Sequence, residues 1–169
     1  MLRIGLGYDV HAFAEGRELV LGGVRIEHPR GLLGHSDADV LAHAVADAVL
    51  GASREGDIGR LFPDTDAEFA GADSLELLSR VADLVKAKGW RIVDVDCVLV
   101  LELPKISPHR DSMRGNLAKA LGIPMDSVGV KATTTERLGF EGREEGVSAH
   151  AVALLERALP DLGAGGLVD

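Results

Sequence analysis

The 169-residue sequence contains a single cysteine, Cys97, one tryptophan, one tyrosine and four phenylalanines. A lone cysteine forms no disulfide within the chain and rules out a cysteine-built zinc cluster. The fold must therefore hold without a covalent staple, and a reducing, cytoplasmic setting is expected. With so few aromatics the core has to be assembled from Ala, Val, Leu and Ile. No apolar run approaches the roughly 20 residues that cross a bilayer. The opening segment MLRIGLGYDVH also lacks the long apolar stretch of a secretion signal, so a soluble protein is expected. There is no Lys/Arg run, and Asp plus Glu outnumber Lys plus Arg by 27 to 18, a formal charge of −9. That balance argues against nucleic acid and anionic membrane as partners.

What is present describes a folded domain. Apolar residues make up 46% and charged residues 27%, which excludes intrinsic disorder. Without repeats, charge blocks or linkers, residues 1–159 read as one domain, followed by a disordered tail over 160–169. Short apolar runs within 2–13 and 19–26, broken by Gly16 and Gly22-Gly23, read as strands joined by turns. Helical spacing runs from Ser36 to Leu50, with a Ser or Asp as N-cap and Gly51 at or just beyond the end. Residues 54–72 read as a long loop, the kind that is more often functional than structural. A helix follows from the Asp73 cap to Lys88, with Glu76 placed for a capping-box contact and Gly89 as the stop. Trp90–Leu101 reads as a buried strand, 108–121 as a helix stopped by Gly122, and 128–134 as a strand. Residues 146–159 fit either period. Interleaved strands and helices give an α/β or α+β class, a sheet with helices on one face.

Chemistry-bearing residues gather in three places. Asp9 and His11 leave one face of a strand and can converge on a point. Asp39, His43 and Asp47 recur every four residues along one helical stripe. One Asp with two His residues suits a divalent ion such as Zn²⁺ with an open position, although such a pair on a strand also fits a solvated polar contact. His35-Ser36 lies at the expected helix start, where free N–H groups attract an anion or where Ser36 or Asp37 simply caps. The run Lys131-Ala132-Thr133-Thr134-Thr135-Glu136-Arg137, with Arg143 beyond it, offers hydroxyls and cations for phosphate and a carboxylate for a hard divalent ion. No P-loop, GxGxxG, GxSxG or HExxH motif occurs.

Taken together, RIGLGYDVHAF, GGVRI, GLLGHSDADVLAHAVADAVLGA, GDIGRLFPDTD, GADS, the PK of ELPK, and VKATTTERLGFEGREEG resemble the 2-C-methyl-D-erythritol 2,4-cyclodiphosphate synthase family. The segments run in order from residue 3 to about 146. The resemblance implies a homotrimer packed around a three-fold axis. Each subunit has a mixed sheet of four to five strands, and active sites lie between subunits. It favours strand for residues 146–157. It places Zn²⁺ on Asp9, His11 and His43, a second ion (Mg²⁺ or Mn²⁺) on Glu136, and Asp39 and Asp47 near the site. His35 and Thr134 would align the diphosphate as catalytic groups. Substrate contacts would come from Asp9, His11, His35, Ser36, Asp57 and Gly59, then Phe62, Pro63, Asp64, Thr65 and Asp66. The cytidine pocket would involve Leu101, Pro104, Lys105, Ile106 and Ser107 with Ala132, Thr133 and Thr134, and Glu136 would be a further substrate contact. Phe140 and Arg143 would belong to the closing segment. The implied substrate is a cytidine diphosphate compound that loses CMP on cyclising, and an axial cavity near Arg143 and Glu145 is an implied site for an isoprenoid diphosphate. Glu102 departs from the uncharged side chain expected beside the cytosine, and Glu144 adds a second carboxylate beside Glu145.

Overall fold

The structure, a computed structural model, describes residues 1–63 and 71–157. The expected substrate contacts Asp64, Thr65 and Asp66, and the tail from 160 onward, lie outside the described residues. Strand β1 (Leu2–Glu15) alternates in burial from Leu2 to Phe13. Leu2, Ile4, Leu6, Tyr8 and Val10 point to solvent on one face, while Gly5 and Gly7 point inward. β2 (Leu19–Leu21) and β3 (Val24–Ile26) form a separate hairpin closed by Gly22-Gly23. Both glycines have positive φ (56° and 69°), as a two-residue hairpin turn requires. β4 (Arg30–Leu32) returns to the edge of β1.

Three helices cover the inner face. They are α1 (Val40–Ser53), α3 (Ser74–Ala87) and, after a 3₁₀ turn at Ser107–His109, α4 (Arg110–Leu121). α2 (Ile58–Leu61) is a single turn inside the expected loop. β5 (Arg91–Val100), β6 (Val128–Thr133), the short α5 (Gly139–Gly142) and β7 (Gly146–Glu156) complete the chain. The main sheet has five strands in the order β4-β1-β7-β5-β6. It is mixed: β5 and β6 are parallel, and the other pairs are antiparallel. β7 is a strand despite its Ala and Leu content because both of its edges are paired, with Leu2 opposite Glu156 and His11 opposite Val147 on β1.

Several boundaries differ from the sequence expectation, each for a local reason. α1 starts at Val40, not Ser36, because Asp39 is its N-cap and accepts the Leu41 and Ala42 N–H groups at 3.1 Å. The helix runs through Gly51 to Ser53, and Arg54 takes the left-handed closing conformation (φ 69°). Asp73 caps α3 through the Leu75 N–H at 2.8 Å, but Glu76 makes no capping box and pairs instead with Arg80, 3.2 Å away.

Two contacts fix the frame. A Cβ on Gly7 would lie 1.9 Å from the Ala44 carbonyl oxygen, and one on Gly5 would lie 2.0 Å from that of Ala48, so α1 rests directly on the backbone of β1. At the far end of the sheet, the guanidinium groups of Arg3 and Arg157 both stack on Trp90, each 4.6 Å from its ring centroid. There the Met1 amine donates to the Arg157 carbonyl at 2.8 Å, and the Arg157 N–H donates to the Met1 carbonyl at 2.9 Å. Among the described residues, no helix is long and apolar enough to cross a membrane.

Candidate functional site

The close seating of α1 on Gly5 and Gly7 brings His43, the neighbour of Ala44, over Asp9 on the same strand. Asp9 Oδ2 lies 3.0 Å from His11 Nε2 and 3.0 Å from His43 Nδ1, and the two ring nitrogens are 3.2 Å apart. The three side chains offer one carboxylate oxygen and two imidazole nitrogens, all within 4.8 Å of one another. The His11 orientation is set from behind. Its Nδ1–H donates to the Leu33 carbonyl at 2.6 Å, which turns Nε2 toward Asp9. This donor set fits a divalent ion.

The electrostatics agree. Burial alone would raise the Asp9 carboxyl, but hydrogen bonds and attraction from His11 and His43 hold it well below the usual carboxylate range. Burial would lower His11, yet the hydrogen bond and charge of Asp9 raise it above 6.5. Of the two imidazoles it is His11 that Asp9 helps to keep its proton.

His11 and His43 open into a cleft of about 380 Å³ that is also lined by Gly34, His35, Ser36, Gly59 and Phe62. His35 is exposed and Ser36 buried, both in the loop before α1 and not at its first turn. Asp57 caps α2 by accepting the Arg60 N–H at 2.8 Å. Asp47 anchors the same turn through the Ile58 N–H at 2.7 Å. Pro63 follows Phe62, half-buried. Asp39 is a correction. It lies fully buried under the hairpin, taking the Gly22 and Gly23 N–H groups at 2.9 and 2.6 Å as well as its own helix donors, and does not face the cleft. The equal spacing of Asp39, His43 and Asp47 therefore joins a cap, a ligand candidate and a loop anchor. Sequence reasoning also misses Ser74, which touches His43 Nε2 at 2.9 Å, because the GADS segment reads only as a helix start.

A second cleft, of about 350 Å³, is lined by Leu101, Glu102, Pro104, Lys105, Ile106 and Ser107 together with Ala132, Thr133 and Thr134. Register places Asp9 opposite Ala149, Ala149 opposite Leu99 and Leu99 opposite Ala132. Both clefts are thus at one end of the sheet, three strand spacings or about 14 Å apart. The Thr134 hydroxyl donates to Glu136 Oε1 at 3.0 Å. Glu136 and Arg137 both have positive φ (54° and 65°). Glu102 explains how that turn persists: its Oε1 accepts the Thr135 and Arg137 N–H groups, each at 3.1 Å, so its charge is aimed at the turn. Glu136 is not part of the Asp9-His11-His43 cluster. Phe140 is half-buried in α5, and Arg143 forms a two-pronged pair with Glu145 at 2.9 and 3.1 Å. Lys131 is likewise engaged, donating to Asp96, so neither cation stands unpaired.

Comparison with known proteins follows this geometry. The YgbB family model matches residues 2–156. The 2-C-methyl-D-erythritol 2,4-cyclodiphosphate synthase of Pseudomonas aeruginosa strain UCBPP-PA14 is 59% identical over 154 residues, covering 91% of this chain and 98% of that protein. The Chlorobaculum tepidum protein of the same name is 57% identical over 157 residues, covering 93% of this chain and all of that protein. A solved synthase of this name, in a CDP-bound form, superposes with a TM-score of 0.83 at 42% identity, over 91% of this chain and all of that one. The bifunctional IspDF of Campylobacter jejuni superposes with a TM-score of 0.90 at 43% identity, over 94% of this chain, which spans 43% of that longer protein.

Proposed function

The chain belongs to the YgbB family, and we propose that it converts 4-diphosphocytidyl-2-C-methyl-D-erythritol 2-phosphate to 2-C-methyl-D-erythritol 2,4-cyclodiphosphate, releasing CMP. The observation that carries this reading is the convergence of Asp9 Oδ2, His11 Nε2 and His43 Nδ1 at the wall of a cleft. It occurs in a chain 59% identical to a synthase of that name. A phosphorus–oxygen lyase of this kind needs little covalent help from protein. It must fold the substrate so that an oxygen of the 2-phosphate stands in line with the β-phosphorus and CMP departs on the other side.

Asp9, His11 and His43 would hold Zn²⁺, and Glu136 a second divalent ion, Mg²⁺ or Mn²⁺. These ions supply Lewis acidity toward the diphosphate. The residues divide the remaining work. His35 and Thr134 align the diphosphate, with the Thr134 hydroxyl already oriented by Glu136. Ser36, Asp57, Gly59, Phe62 and Pro63, with Asp64, Thr65 and Asp66, hold the erythritol. Leu101, Pro104, Lys105, Ile106 and Ser107, with Ala132 and Thr133, form the cytidine pocket, and Phe140 and Arg143 close it. The 1–159 domain works as a cytoplasmic homotrimer with active sites between subunits. The exposed apolar row Leu2, Ile4, Leu6, Tyr8 and Val10 supports this, because so regular an uncovered face on β1 needs a protein neighbour. An isoprenoid diphosphate on the three-fold axis is part of the same reading.

Incubation with the substrate and Mg²⁺ tests the proposal. CMP and cyclic diphosphate in equal amounts are expected. A linear phosphate product would make the protein a hydrolase instead.

A further inference from the structure

Behind His43 lies a buried polar chain that the proposed reaction leaves without a role. Ser74 is 1% exposed, and its hydroxyl oxygen lies 2.9 Å from His43 Nε2. The same hydroxyl donates to Asp37 Oδ1. A hydroxyl has one proton, and here the carboxylate takes it. The Ser74 oxygen can therefore only accept at His43, which must carry a proton on Nε2 and turns Nδ1 toward Asp9 as the nitrogen left for a cation. Ser36 lies farther from Nε2, at 3.2 Å, and its oxygen already accepts the Ala38 N–H at 3.1 Å.

We infer that Asp37 and Ser74 form a positioning relay that fixes the ring orientation and tautomer of His43 and thereby sets the affinity of the trio for a divalent cation. Resting on the metal reading given under Proposed function, the inference adds the residues that tune it. It also accounts for an asymmetry. His11 presents Nε2 because a carbonyl, that of Leu33, holds its Nδ1–H, whereas His43 presents Nδ1 because a carboxylate-backed hydroxyl holds its Nε2–H. Outer partners of this kind raise ligand basicity and restrict the ring, and their loss typically weakens metal binding about 10–100-fold. The carboxylate end gives the Ser74 link more weight than the Ser36 contact, since charge on Asp37 polarises the hydroxyl toward accepting.

The test is zinc affinity of the full chain, read by competition with a chromophoric chelator. Ser74→Ala leaves Asp37 its backbone donors, the Ser74 N–H and the Asp39 N–H, each at 3.1 Å, so the helix start is retained. The relay predicts zinc binding weaker by about 10–100-fold in a protein that still folds without metal. It also predicts recovery in Ser74→Thr, which restores the hydroxyl, and a smaller loss in Ser36→Ala than in Ser74→Ala. Should Ser74→Ala fail to fold, Asp37→Asn gives the second measurement and must weaken zinc binding in a folded protein. Zinc affinity unchanged in Ser74→Ala or, in that case, in Asp37→Asn overturns the relay. A wild-type chain that takes up no zinc overturns the metal reading beneath it.

Discussion

Gly7 faces the carbonyl oxygen of Ala44 so closely that a Cβ would come within 1.9 Å of it. The missing side chain on β1 sets the height at which α1 lies, and that height brings His43 within 3.0 Å of Asp9. Gly7→Ala should therefore push the helix outward. Overpacking of this kind costs about 1–3 kcal/mol, and backbone against backbone belongs at the upper end of that range. Urea unfolding should show the loss of stability, and zinc content should fall with it. A Gly7→Ala protein of native stability with full zinc would disconnect the packing from the site.

His43→Ala removes a ligand candidate outright and not merely a group behind one. Zinc content should fall to near zero. CMP release should drop by about 100-fold or more, beyond the 10–100-fold typical of an outer partner. Metal analysis beside a turnover assay decides it, and an active variant retaining its zinc would refute the ligand assignment.

Glu136→Gln keeps an acceptor for the Thr134 hydroxyl but loses the charge. The Mg²⁺ concentration giving half-maximal turnover should rise about tenfold, on the scale of one lost charge-assisted contact. Zinc should stay bound. Loss of zinc from this variant would argue against two separate metal sites.

Proton linkage gives a pH signature. In the metal-free protein His11 titrates above its ordinary 6.5. The stability contributed by its pairing with Asp9 is thus fully present below pH 6.5 and is lost as pH rises through the raised value. A cation must displace that proton, so zinc affinity should climb over the same interval and proton release should accompany binding. Calorimetry in two buffers of different ionisation enthalpy measures the protons released. Zero release near pH 7 would contradict the protonated His11–Asp9 pair.

Glu102→Ala should loosen the turn after β6, because the Thr135 and Arg137 N–H groups, on either side of Glu136 in a turn where Glu136 and Arg137 have positive φ, lose their acceptor. The stability cost is about 1 kcal/mol for a partly exposed site. Turnover should fall with zinc content unchanged, and a fully active variant would show that the turn holds itself.

Much of this architecture is legible in the sequence because the signals are local. The alternation of β1 fixes which side chains share a face, so Asp9 and His11 could be paired before any fold was known. Asp73, Gly89 and Gly122 mark helix ends by their own conformational preferences. Other features depend on distant chain segments. Asp39 keeps the same four-residue spacing as His43, yet the hairpin glycines Gly22 and Gly23 claim its carboxylate. Glu102 looks like a stray charge until Thr135 and Arg137, more than thirty positions away, are seen to donate to it. The period of residues 146–159 is ambiguous because Ala and Leu serve either structure, and pairing on both edges decides it.

The joined ends of the sheet have an engineering consequence. Met1 and Arg157 hydrogen-bond to each other beside Trp90, so the chain enters and leaves the sheet at one place. From Leu2 to His11 the strand extends about 30 Å at its usual rise. Cargo joined before residue 1 or directly after residue 157, whether an affinity handle or a whole second catalyst, would therefore hang from the pole opposite the metal trio. A peptide tying residue 157 back to residue 1 should be short, which makes the domain suited to circular permutation.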